Sequence, residues 1–103
     1  IALRRGVTIE ERMRSDSRPA AGDDCVLRAL EEACAALGVR APCLRSMAGH
    51  DASHMAAFTR IGMLFLRSTA GKSHVPEEHS PPESLAAAAS VMLDAIDRLD
   101  REL

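Results

Sequence analysis

From Ser80 to the last residue, the chain carries a pattern with one good local solution. Ser80-Pro81-Pro82-Glu83 has the spacing of a capping box with prolines in the first turn, which announces a helix. Leu85, Ala89, Met92, Ile96, Leu99 and Leu103 then recur at helical intervals, while Asp94, Asp97, Arg98 and Arg101 fall toward water. Such a stripe must be buried against another element, and the run Ala86 to Ala89 permits close approach to a sheet. A second helix is predicted after Asp23 and Asp24, which offer N-cap oxygens. Its apolar positions are Val26, Leu30, Ala33 and Leu37, and Gly38 suits the residue just past its end.

Between and before these helices the pattern changes. Val7, Ile9 and Met13 alternate with Thr8, Glu10, Arg12 and Arg14, the period of a half-buried strand, and Glu11 interrupts its apolar face, as on an edge strand. Residues 15–22 are polar and hold Pro19, a linker signal. A short strand is predicted around Cys43 and Leu44, a brief helix from Ala52 to Phe58, and a buried strand over Ile61 to Leu66. Residues 67–80 form the longest loop, and no internal repeat is present. The expected order is strand, helix, strand, strand, helix, an α/β arrangement.

Composition narrows the function classes. A chain of 103 residues is one domain or part of one, and buries roughly 60–70% of the surface of its unfolded form. With two Phe and no Trp or Tyr, its core must be built from Leu, Ile, Val, Met and Ala, a thin core suited to packing against something else. A net charge of −2 with dispersed Lys and Arg gives no footprint for nucleic acid or an anionic membrane. No apolar run is long enough to span a bilayer, and no signal peptide is visible. The first residue is Ile1 rather than Met, inside what reads as a strand, so the chain is expected to be a fragment, a processed product or a truncation. Its three Cys form neither a disulfide framework nor a zinc ribbon; Cys25, Cys34 and Cys43 are read as small buried hydrophobes, a usage that fits a reducing cytoplasm.

The chemistry is concentrated in two turns. Ala48-Gly49-His50-Asp51-Ala52 and Gly71-Lys72-Ser73-His74-Val75-Pro76-Glu77-Glu78 each place an imidazole beside a carboxylate, on either side of an apolar run. Gly71 and Pro76 bracket His74 and would fix the backbone around it, and a neutral imidazole is the commonest metal ligand; the bland alternative is an exposed loop histidine. Glu77 and Glu78 are either outer partners of that imidazole or solvated charge before a helix. His50, after Gly49 and before Asp51, can donate to an oxyanion or a substrate carbonyl. Gly49 would let substrate approach the backbone. His50 and His54 are also spaced to share a helix face as a metal pair, with Asp51 off that face; His54 is read here as structural, and His79 receives no role.

The order of these two turns resembles the C-terminal end of the zinc-dependent M20 amidohydrolases, in the branch of N-carbamoyl-L-amino acid hydrolases, allantoate amidohydrolases and β-ureidopropionases. That branch reads Ser-Gly-Ala-Gly-His-Asp-Ala, a short apolar strand, Gly-Ile-Ser-His-Ser-Pro-Glu-Glu, and a closing helix. The chain departs from it at Met47, Lys72 and Val75, where Gly, Ile and Ser are usual, and Lys72 puts a cation beside the ligand loop.

The resemblance implies a fold in which residues 1–20 are the last strand of a lid, or dimerisation, domain with its linker. Residues 21–103 would be the C-terminal portion of an α/β sandwich catalytic domain around a mixed sheet. It implies that His74 is a ligand at a two-metal centre of zinc, or else manganese, cobalt or nickel. His50 would help stabilise the tetrahedral intermediate at a carbamoyl or ureido substrate. The family's other parts, a His-x-Asp element, a Glu-Glu pair and a substrate-gripping arginine, match nothing here. Glu31-Glu32 is such a pair by letter only, since a solvated helix face explains it. The chain alone is therefore expected to be inactive and need hold no metal, with a partner chain or a homodimer completing it. Two other readings stay open: a non-catalytic fragment that dimerises through its edge strand Gly6 to Arg14, and a small metal-binding module using His50, His54 and His74.

Overall fold

The structure, a computed structural model, describes residues 2–102. Four α-helices and one 3₁₀ turn follow in order: α1 Ala2–Arg5, α2 Asp24–Ala36, α3 Asp51–Met55, the 3₁₀ turn Thr69–Gly71, and α4 Pro82–Glu102. The expectations that rested on Ile1 and Leu103 lie outside the described residues.

α2 starts and stops where its sequence directs. The Asp23 carboxylate accepts the backbone N–H groups of Cys25 at 3.0 Å and Val26 at 3.4 Å. At the other end Gly38 takes φ +66°, its N–H reaches the Ala35 carbonyl, and the Val39 N–H reaches that of Cys34 at 2.8 Å. That pair of bonds is a Schellman ending, with Val39 folding back against the core. α4 begins at Pro82, and the Pro81 carbonyl accepts the N–H groups of Ser84 and Leu85. The predicted Ser80 side-chain cap does not form among the described residues; a backbone carbonyl opens the helix instead.

The core lies between α2 and α4, which run antiparallel: Cys25, at the start of α2, meets Glu102, at the end of α4, while Glu32 meets Arg98. Ala29, Leu30, Ala33 and Cys34 pack against Val91 and Ala95, with Val26, Val39, Leu64 and Leu99 at the margin. Small residues on both helices allow the backbones to approach. The predicted apolar stripe of α4 is therefore displaced by one residue along its middle, while Leu99 keeps its predicted place. Val91 and Ala95 face inward at 1% exposure each, whereas Met92 and Ile96 are 42% and 55% exposed. One residue is about 100° of helix, and α4 is apolar on both sides. Leu37, the residue that caps the end of α2, is likewise exposed.

The strand expectations are corrected. Among the described residues no strand forms over Gly6 to Arg14, around Cys43 and Leu44, or over Ile61 to Leu66, and the lid strand expected from residue 1 instead contains α1. A strand needs a neighbour for its backbone hydrogen bonds, and few are satisfied here. Among the described residues the backbone of 61–66 is hydrogen-bonded only at its start, where the Ile61 carbonyl accepts the Asp23 N–H at 2.7 Å. Next to that bond a Cβ on Gly62 would meet Val26 Cγ1 at 2.5 Å, so glycine lets the segment lie against α2. Residues 39–44 and 63–67 flank a cavity of about 550 Å³ floored by Leu30, Cys34, Ala88 and Val91. A radius of gyration of 18.6 Å, against about 13 Å for a closed domain of this length, fits a chain whose core is one helix pair. Cysteine burial divides accordingly: Cys34 is buried, Cys25 half-buried and Cys43 exposed, contrary to the reading of all three as buried.

Candidate functional site

His50 is the residue just before α3, in extended backbone at φ −136° and ψ 149°, and its carbonyl accepts the Ser53 N–H at 2.9 Å. Its ring is held on two sides. Nε2 lies 2.6 Å from Ser46 Oγ, and the ring meets Phe65 edge to face, with centroids 5.6 Å apart and planes at 63°. Ser46 Oγ also accepts the Ala48 N–H at 3.2 Å, so one hydroxyl organises both the turn and the imidazole. No other hydrogen bond engages the His50 ring among the described residues. On the preceding residue a Cβ at Gly49 would meet nothing within 4 Å beyond its chain neighbours; nothing in the chain itself requires glycine there, and the space over the Gly49 backbone is open.

His74 is presented differently. It sits in the left-handed region at φ +58°, as do Ala70 at +56° and Gly71 at +65°. Few non-glycine residues adopt this conformation, and histidine is among those that do so more readily. The strain is held by Glu78, whose carboxylate accepts the His74 backbone N–H at 2.7 Å, while the Glu78 N–H closes a turn onto the Val75 carbonyl. Thr69 N–H to His79 carbonyl, 2.8 Å, ties the base of the loop. The His74 side chain is left exposed. Glu78 thus grips backbone, a job distinct from the outer-partner and solvated-charge readings.

His54 lies in the last turn of α3 and is exposed, as are Lys72, Glu77 and His79. Among the described residues no group of three or more His, Cys, Asp or Glu side chains is placed to hold a metal ion. His50, His54 and His74 therefore do not assemble a metal module, and His74 offers at most one donor. The residues present do not amount to a metal site by themselves. Sequence reasoning missed Ser46 and Phe65; Ser46 stands four residues before His50, a spacing that could have marked it, whereas nothing local pairs Phe65 with the ring.

A third cluster joins the helix ends. Cys25 Sγ donates to Glu102 Oε2 at 3.1 Å, and Arg28 reaches the same oxygen at 3.4 Å. The hydrogen bond to Glu102 pushes the thiol above its ordinary range. The same bond, helped by the Arg28 charge, holds the Glu102 carboxyl below its own.

Comparison with known proteins gives consistent relatives. A family profile described as peptidase family M20/M25/M40 matches residues 5–98. An N-carbamoyl-L-amino acid amidohydrolase of Geobacillus stearothermophilus is 35% identical over 96% of this chain and 24% of its own length. A ureidoglycolate hydrolase of Oryza sativa subsp. japonica is 35% identical over 96% of this chain and 21% of its own. An allantoate deiminase of Arabidopsis thaliana is 45% identical over 54% of this chain and 11% of its own. The chain spans about a fifth of the length of the curated relatives it matches. No solved structure matches it significantly.

Proposed function

The chain belongs to the M20/M25/M40 peptidase family, and from that membership we propose that it is the C-terminal part of an amidohydrolase that opens a carbamoyl or ureido C–N bond. Among the curated relatives, the N-carbamoyl-L-amino acid amidohydrolases and the ureidoglycolate hydrolase are named for substrates that share an N–C(=O)–N group. In such a reaction water adds to the carbonyl carbon, the C–N bond breaks, and the departing nitrogen takes a proton. Negative charge develops on the carbonyl oxygen along the way, and a preplaced N–H donor there is worth orders of magnitude in rate. The observation that carries this reading is the His50 ring, locked by Ser46 and Phe65 beside open ground at Gly49.

In this proposal His50 is the catalytic donor, Gly49 lines the substrate, and His74 is one donor to a metal, zinc or else manganese, cobalt or nickel, whose remaining ligands lie outside these residues. The irregular segments 39–44 and 61–66 would become strands of the mixed sheet once neighbouring backbone is supplied, with the chain working in the cytoplasm. Native mass spectrometry of the chain, alone and with the polypeptide that supplies the remaining ligands, tests this alongside hydrolysis of an N-carbamoyl-L-amino acid, allantoate and ureidoglycolate. A metal-bearing complex that hydrolyses one of them is expected, and His74→Ala should remove metal and hydrolysis together. Wild-type turnover by that variant would overturn the assignment.

A second reading is favoured by the exposure of Val7, Ile9 and Met13. Residues 6–14 would pair with a second copy and give a homodimer of this chain without activity. The same mass spectrum decides it, through a metal-free dimer that gains no larger partner.

A further inference from the structure

We propose that Ser46 is a positioning residue that holds His50 in the tautomer with its proton on Nδ1, so that Nδ1–H is the donor presented to the substrate oxygen. The inference deepens the reading of His50 given above and rests on it for its catalytic consequence, though not for the tautomer itself.

The argument starts from the 2.6 Å between Ser46 Oγ and His50 Nε2. That separation is a short hydrogen bond, at the lower edge of the range for an N–H donating to oxygen, and its direction is read from what else the hydroxyl does. Its oxygen already accepts the Ala48 N–H at 3.2 Å, which polarises the O–H and strengthens it as a donor. A Nε2 that accepts a proton donor carries none of its own in the neutral ring, and the proton must then be on Nδ1. Phe65, meeting the ring edge to face, opposes the rotation that would exchange the two nitrogens. Since Ser46 and Ala48 belong to the turn that carries Gly49, the device that selects the tautomer also sets where the open ground lies.

Nitrogen-15 NMR of His50 in the 103-residue chain reads the tautomer directly. The expected spectrum has a protonated, pyrrole-type Nδ1 and a pyridine-type Nε2 in the wild type, a shift toward the Nε2–H form in Ser46→Ala, and restoration in Ser46→Thr, which keeps the hydroxyl. Ser46 is exposed, so neither substitution removes core packing. A wild-type ring protonated on Nε2, or a Ser46→Ala spectrum that does not change, overturns the proposal. In the complemented enzyme Ser46→Ala should lower kcat about tenfold to a hundredfold with KM little changed, the usual cost of losing a partner that fixes an imidazole, and Ser46→Thr should recover it. An unchanged kcat in Ser46→Ala refutes the catalytic consequence while the His50 reading survives. An unchanged kcat in His50→Ala refutes that reading and leaves the tautomer result standing.

Discussion

Between α2 and α4 the chain satisfies itself: a carboxylate caps one helix, a glycine ends it, Arg98 ties Asp94 on its own helix to Glu32 on the other, and every buried residue among those described belongs to the pair. Residues 39–81 do the reverse. Met47 and Phe58 are 98% and 85% exposed, backbone bonds are few, and beyond the short α3 and the 3₁₀ turn order comes from local contacts such as Ser46–His50, His74–Glu78 and Thr69–His79. Local sequence and one apolar contact suffice for an antiparallel helix pair, because helices satisfy their own backbones. Sheet segments cannot, so the half of the chain that carries the histidines depends on what it is placed against. On the proposed function, stability and chemistry are held by different residues, and substitutions should separate them.

The largest expected effect lies on the chemical side. In the complemented enzyme His50→Ala should reduce kcat about 10²–10³-fold, the usual cost of one lost oxyanion donor, with no shift in the urea midpoint. A fall in stability equal to the fall in rate would erase the division. On the structural side, Ala33→Leu forces a side chain into a fully buried position between the helices and should cost about 1–3 kcal/mol. Urea unfolding followed by circular dichroism measures it, and a variant as stable as wild type would show that the pair is loosely packed.

Gly62→Ala probes the seam between the two regions. Its Cβ would press on Val26, whose branched side chain has little rotamer freedom. We expect a loss of about 1 kcal/mol in the same assay, together with faster amide exchange at Asp23, whose N–H is bonded to Ile61. The smallest effect concerns the helix ends. With its thiol held above the ordinary range by Glu102, Cys25 should alkylate more slowly than the exposed Cys43, and Glu102→Gln should speed it severalfold. The sign for stability follows from the same bond. A carboxyl held below its ordinary range stabilises the folded chain above that range, and the contribution disappears as pH falls through the lowered value. Acid unfolding of the two chains should therefore converge at low pH and differ at neutral pH.

Both long helices were legible in the sequence nearly to the residue, because Asp23, Gly38 and the prolines at 81 and 82 act within a turn of chain. The family was legible too, from the two histidine turns, and a family profile matches residues 5–98. Strand character is only half legible, and no strand forms among the described residues. Alternation at Val7, Ile9 and Met13 and the apolar run at 61–66 report which faces a segment could bury, whereas a strand exists only when a second backbone accepts its hydrogen bonds. The grip of Glu78 on the His74 N–H is not legible in the sequence, because it depends on a left-handed residue that no spacing announces.

By itself, then, the sequence determined the helix limits, the absence among the described residues of a helix able to cross a membrane, and membership of the family, all properties of local pattern. Only the tertiary structure decided which face of α4 turns inward. Both faces are apolar, and Val91 and Ala95 prevail over Met92 and Ile96 where small residues let α2 come close. It also decided how His50 is held, since the hydroxyl and the aromatic edge that hold it converge from two segments that no sequence period connects.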